Sequence, residues 1–125
     1  METAQQAFRH YSHGLATADW EPFLGMLTED FTFLFPVGPY QGLNVGKVKA
    51  AAFFQYVSRA FSEGLTLKLK HVTSSKTTVV FEVKSEGQLW GKPYQNQVAI
   101  SFDIRGDQVC GYREYLGVVF QLSAE

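Results

Sequence analysis

The feature that most constrains this chain is a change of hydrophobic period near residue 65. Before it, apolar residues recur at helical spacing. After it, they alternate. "LTLKLKHV" alternates leucine with threonine and lysine. "TTVVFEVKSEG" sets Val79, Phe81 and Val83 against Glu82 and Lys84. "YQNQVAISFDI" sets Tyr94, Asn96, Val98, Ile100, Phe102 and Ile104 against Gln95, Gln97, Ala99, Ser101 and Asp103. "GDQ" then turns the chain into a last strand, "VCGYREYLGVVF". Segments of this length suit an antiparallel meander with short hairpins. Helices grouped ahead of strands predict an α+β fold, with the helices on one face of a curved sheet.

The first half supplies the helices. Ala4, Phe8, Tyr11 and Leu15 form one stripe, which predicts a helix over Thr3 to Ala16. A second helix is expected from an Asp19 N-cap, with Pro22 in its first turn and Trp20, Phe23, Leu24 and Leu27 on its apolar face. A third, from about Gly46 to Ser62, carries Ala50, Phe53, Phe54, Val57, Ala60 and Phe61 inward and stops at Gly64. Between the second and third, "FTFLFPVG" reads as a strand with Phe31, Phe33 and Phe35 on one side, and "GPYQGLNVG" as turns with Asn44 as a cap. An aromatic stripe of that kind faces either a solid core or a hollow.

Bulk properties narrow the class. A length of 125 residues fits one domain, residues 1–125, with a core that needs no staples. Fifteen per cent of the chain is aromatic, including eleven phenylalanines, which means either a bulky core or aromatic walls around a cavity. A net charge of −1 with scattered lysines offers no field for nucleic acid or anionic lipid. Cys110 is the one cysteine, so no internal disulfide forms. No signal-peptide core opens the sequence and no apolar run approaches membrane-spanning length, so the cytoplasm is the default location. His10 and His13 have the i, i+3 spacing that could share a metal, but no third ligand accompanies them and no metal site is expected. "GLNVGK" lacks the spacing of a phosphate-binding loop.

The order of these elements, with "DW", the strand, "PVG" and a terminal "REYLG", resembles the cone-shaped superfamily of nuclear transport factor 2, ketosteroid isomerase and the SnoaL-like polyketide cyclases, from about Phe8 to Gly117. The resemblance implies a cystatin-like roll, a curved sheet wrapped around a helix and leaving a conical pocket. Phe31, Phe33, Phe35, Phe54, Phe81, Ile100 and Tyr112 are then expected on its wall, with Tyr40 and Trp90 at its mouth. The scaffold hosts many chemistries. Ketosteroid isomerases combine a base just before "PVG" with a tyrosine and a protonated aspartic acid. Aligned without gaps, the tyrosine falls on Tyr11, but the base position is Phe35 and the acid position Ile100. Two of three groups are missing, so that mechanism does not operate here.

In the family register, Cys110, Tyr112, Glu114 and Leu116 point inward and Arg113 and Tyr115 outward. Glu114 would then be a desolvated carboxyl suited to acid–base work near neutral pH, with Tyr11 beside it to stabilise developing charge. Neither face of the strand alternates cleanly, so Glu114 either enters the pocket or pairs with a cation outside the sheet. Asn96, on an apolar face, either orients a ligand or pins a loop. The expected partners are a compact apolar ligand bearing a carbonyl or hydroxyl and, through the mixed polar and aromatic outer sheet face, a second copy of the chain. No cofactor is required. An isomerase, cyclase or dehydratase fits these residues, and so does a dimeric binding module without turnover.

Overall fold

The computed structural model describes residues 1–117 of the chain. Helix α1 spans Glu2–Thr17 and α2 is a single turn, Glu21–Leu24. Strand β1 (Leu27–Phe35) leads through a 3₁₀ turn at Gly38–Tyr40 to the short strand β2 (Gly42–Val45), then to helix α3 (Lys47–Ala60). Four long strands follow: β3 (Leu65–Ser74), β4 (Thr78–Leu89), β5 (Lys92–Arg105) and β6 (Gln108–Leu116). They form one six-stranded curved sheet in the order β2-β1-β6-β5-β4-β3. The fold is the expected α+β cone. The far end of the predicted last strand, beyond residue 117, lies outside the described residues.

Local chemistry accounts for the departures from expectation. The second helix starts at Glu21 rather than Asp19, although Asp19 Oδ1 still accepts the Glu21 backbone N–H at 3.4 Å. It is shorter than expected because Leu27, read as helical, opens β1 and is buried in the sheet. Asn44 does not cap α3. Its amide donates to the Tyr40 and Gly42 carbonyls at 2.8 and 3.1 Å, which holds the turn and lets β2 pair with β1. Gly64, at φ +88°, follows α3 in a backbone conformation that suits glycine.

The meander β3–β4–β5–β6 is antiparallel throughout, whereas β1 lies parallel to β6. Only a chain that crosses over through α3 and the meander can make that pairing. Helix α1 packs on β3, β5 and β6, while α3 packs on β1 and β2. The fully buried rings of Trp20, Phe23, Phe54, Phe102 and Tyr112 gather around Tyr11. Phe23, Phe54 and Phe102 meet its ring edge-on at centroid separations of 5.5, 6.1 and 5.7 Å.

Strand β6 contains a bulge. Asp103 of β5 is opposite Gly111 and Ile104 is opposite Val109, so Cys110 has no partner position. This explains the broken alternation in the sequence. Val109 and Tyr112 both point into the core although they are three positions apart, an odd spacing that would otherwise put them on opposite faces. Cys110, expected inward, is the bulged residue. It is half-buried, with its thiol 3.5 Å from the Asp103 carbonyl.

Candidate functional site

One end of the cone is hollow. A cavity of about 380 Å³ lies between α1, the C-terminal half of α3 and the concave face of β3–β6. Leu15, Val57, Ala60, Phe61, Leu65 and Leu67 supply much of its apolar wall. Among its lining residues there is no lysine, arginine or histidine, and the one carboxylate is Glu114.

Tyr11 and Tyr112 reach Glu114 from different elements. The amphipathic stripe of α1 buries Tyr11, and the bulge at Cys110 sets Tyr112 and Glu114, two residues apart, on the concave face. Tyr11 Oη donates to Glu114 Oε1 at 2.8 Å, and Tyr112 Oη makes a short hydrogen bond to the same oxygen. The two phenol oxygens are 2.9 Å apart. Each phenol has a single hydrogen to give. With Glu114 ionised, both are spent on Oε1, while Oε2 accepts no hydrogen bond among the described residues.

The electrostatics follow from this packing. Burial raises the Glu114 pKa above the usual glutamate range, and the Tyr112 and Tyr11 hydrogen bonds only partly oppose it. Burial and the neighbouring Glu114 charge push both phenols well above the ordinary tyrosine value. Glu114 is therefore the group in this cluster that gives up its proton most readily, and Oε2 is its unencumbered oxygen.

A second polar group stands in the cavity wall. Asn96 Nδ2 donates to Tyr94 Oη at 3.0 Å, while Asn96 Oδ1 accepts the Gln97 backbone N–H at 2.8 Å. Ser85, buried nearby, donates to the Asn96 carbonyl at 3.4 Å. Burial raises the Tyr94 pKa, with the charge of Glu114 contributing.

Of the residues singled out from sequence, Tyr11, Phe35, Trp90, Asn96, Ile100, Tyr112 and Glu114 line the cavity. Phe31, Phe33, Tyr40, Phe54 and Phe81 do not, because other rings cover them. Phe33 packs on Phe53 at 4.9 Å, Phe54 stacks on Trp20 at 4.5 Å, and Phe81 stacks on Phe8 at 4.4 Å. Phe31 stacks on Phe33, and Tyr40 lies against Phe53 and Tyr56. The aromatic stripe of β1 thus begins in solid core and ends, at Phe35, against the hollow. Tyr56, Phe61, Leu89 and Tyr94 are lining residues that sequence reasoning did not select. Tyr94 shares the alternating face of Asn96, Val98 and Ile100, and that shared face was the available signal. His13 is paired with Asp19 at 3.2 Å, and no cluster of three metal-ligating side chains exists among the described residues.

The model of the SnoaL-like domain matches residues 8–112. The chain belongs to the SnoaL-like domain family. Within the wider superfamily, this SnoaL-like protein is similar to an NTF2-like protein from Anabaena variabilis. The two are 55% identical over 94% of this chain and 89% of that one, with a TM-score of 0.92. More distant structures share the fold. One is a protein of unknown function with a cystatin-like fold from Xanthomonas campestris, 13% identical over 94% of this chain and 92% of that one, with a TM-score of 0.80. Another, from Catenulispora acidiphila, has a ketosteroid isomerase-like fold and was solved with trimethylamine. It is 12% identical over 88% of this chain and 84% of that one, with a TM-score of 0.74. No curated protein matches the chain.

Proposed function

We propose that this SnoaL-like protein binds a compact, largely apolar compound bearing a carbonyl or hydroxyl, and moves a proton on it with Glu114 as acid or base. The observation that carries this reading is the Glu114 carboxyl, held through one oxygen by two phenols in the wall of an otherwise apolar cavity. A structural ion pair would place a cation beside that carboxylate, and the lining has none. Isomerisation, cyclisation and dehydration share a proton transfer next to a carbonyl or hydroxyl carbon, and one group can serve all of them. Tyr11 and Tyr112 fix the carboxyl and hold Oε1, leaving Oε2 to face the reacting carbon.

The test does not require the natural substrate. A panel of compact cyclic ketones in deuterated water reports general-base action as exchange of the protons α to the carbonyl, read by NMR. The protein is expected to accelerate exchange for at least one ketone, and Glu114→Gln to return it to the buffer rate while still folding and melting cooperatively. Acceleration that persists in Glu114→Gln removes this residue from the mechanism. Ketone binding without any exchange is the outcome for a binding module. The same reading includes a second copy of the chain docked on the outer sheet face, where Tyr115 is half exposed. Light scattering should then give twice the chain mass, and a monomer would refute that part.

A further inference from the structure

We propose that Tyr94 is the hydrogen-bond donor to the substrate's oxygen, and that the cavity selects an uncharged carbonyl compound. This rests on the pocket reading above and assigns a role that Tyr11 and Tyr112 do not fill.

The argument is a count of hydrogens. The Tyr11 and Tyr112 hydroxyls both donate to Glu114 Oε1 and have no second hydrogen for a ligand. Tyr94 is arranged differently. A backbone N–H can only donate, so the side-chain atom of Asn96 that meets the Gln97 N–H at 2.8 Å is the oxygen. That fixes the orientation of the amide and turns its NH₂ toward Tyr94 Oη, 3.0 Å away. The phenol oxygen is thereby an acceptor, and among the described residues the Ser85 hydroxyl, which gives its own hydrogen to the Asn96 carbonyl, is the one group that competes with a ligand for the phenol hydrogen. The ring is held edge-on against Phe61 at 5.2 Å, in the same cavity wall as Glu114. A positioned donor that shares a largely apolar cavity with a base is the arrangement that stabilises a developing oxyanion.

The step balances within these groups. Glu114 Oε2 takes the proton from the carbon next to the carbonyl. The C–H electron pair becomes the new C=C bond, and the carbonyl π pair moves onto oxygen, where the Tyr94 hydroxyl donates to it. Return of the proton from Glu114 to carbon completes exchange or isomerisation with no further reactant. An anionic substrate fits poorly, because the lining has no cation to offset its charge and already carries one carboxylate.

The probe pair is 1-tetralone and its hydrocarbon analogue tetralin. The parent should prefer the ketone by roughly tenfold, the worth of about one good hydrogen bond, and should lower the bound carbonyl stretch in infrared difference spectra. Tyr94→Phe keeps the ring on Phe61 and should lose both effects while Tyr11→Phe retains the carbonyl shift. Asn96→Asp is an independent second variant. It offers Tyr94 an acceptor in place of a donor, so the hydroxyl turns away from the ligand and the shift should again vanish. A carbonyl shift unchanged in Tyr94→Phe, or lost only in Tyr11→Phe, overturns the assignment while leaving the pocket reading intact. Tighter binding of 2-naphthoate than of 1-tetralone overturns the uncharged class. If the parent binds neither tetralone nor tetralin, the pocket reading falls and takes this proposal with it.

Discussion

Two partly or wholly buried carboxylates in this protein have pKa values displaced in opposite directions, and the difference is set by what each one touches. Glu114 is desolvated beside phenols, and its pKa is raised. Asp103 is also pushed up by burial, but hydrogen bonds from Arg113 and Thr78 outweigh that and hold it below the usual range. The signs follow from proton counting. From an ordinary glutamate value of about 4.3 up to its raised native value, folded Glu114 keeps a proton that the unfolded chain has released. Its contribution to stability is complete below that window and is lost as pH rises through it. Asp103 contributes above about 3.9, and its contribution disappears as acid protonates the folded carboxyl. Urea midpoints between pH 4 and 8 should therefore fall with rising pH in the parent and flatten in Glu114→Gln. A parent midpoint that does not decline in this window would mean that Glu114 is ordinary. At this scale the helical stripe singles out Tyr11, whereas Glu114 is singled out through the family register, since neither face of its strand alternates cleanly. The sequence did not reveal that Tyr112 completes the cluster, because which phenol reaches a carboxylate depends on the angle between a helix and a strand, which neither local pattern encodes.

At the scale of elements, the turns and irregularities decide where side chains go. The β4–β5 hairpin closes with a two-residue loop, Trp90–Gly91, with φ of 50° and 81°. Such loops favour asparagine at the first position, and tryptophan there is strained. Trp90 is 59% exposed yet lines the cavity, lies edge-on to Tyr56 at 6.1 Å, and donates its backbone N–H to the Ala60 carbonyl. Trp90→Asn should stabilise the fold by roughly 0.5 kcal/mol in denaturant melts while weakening tetralone binding, because the mouth loses an aromatic side. A destabilised variant would show that the Tyr56 contact outweighs the backbone strain. The bulge in β6 gives a second prediction. Because Cys110 occupies no partner position, its deletion leaves Val109, Tyr112 and Glu114 on one face, and melting should drop only modestly. Deleting Arg113 instead shifts Glu114 relative to Tyr112 and should abolish the cluster and the carbonyl shift. The helix-to-strand change at Leu65 was legible because it rests on period alone. The bulge and the strand β2 were not, because one is a pairing defect and the other is four residues held by Asn44.

For the molecule as a whole, the question is why a chain so rich in phenylalanine leaves part of its interior empty. The phenylalanines are unevenly spent. Phe31, Phe33, Phe53 and Phe54 close the half under α3, while the other end is walled by aliphatic residues and the rings of Tyr56, Phe61 and Tyr94. A volume of about 380 Å³ is space a larger side chain can take without overpacking. Val57→Phe should therefore melt no lower than the parent and bind no tetralone. A large loss of stability would mean the hollow is smaller than it appears. Sequence composition could signal bulky apolar material but not its distribution, since a filled and a hollow cone use the same residues. Strand order carries one more consequence. β6, the last described strand, is inserted between β1 and β5, so β1 and β2 are a bare pair until β6 has been synthesised. Tyr11 emerges from the ribosome about a hundred residues ahead of the carboxylate it holds, so the phenol–carboxyl cluster cannot assemble before β6 has been made.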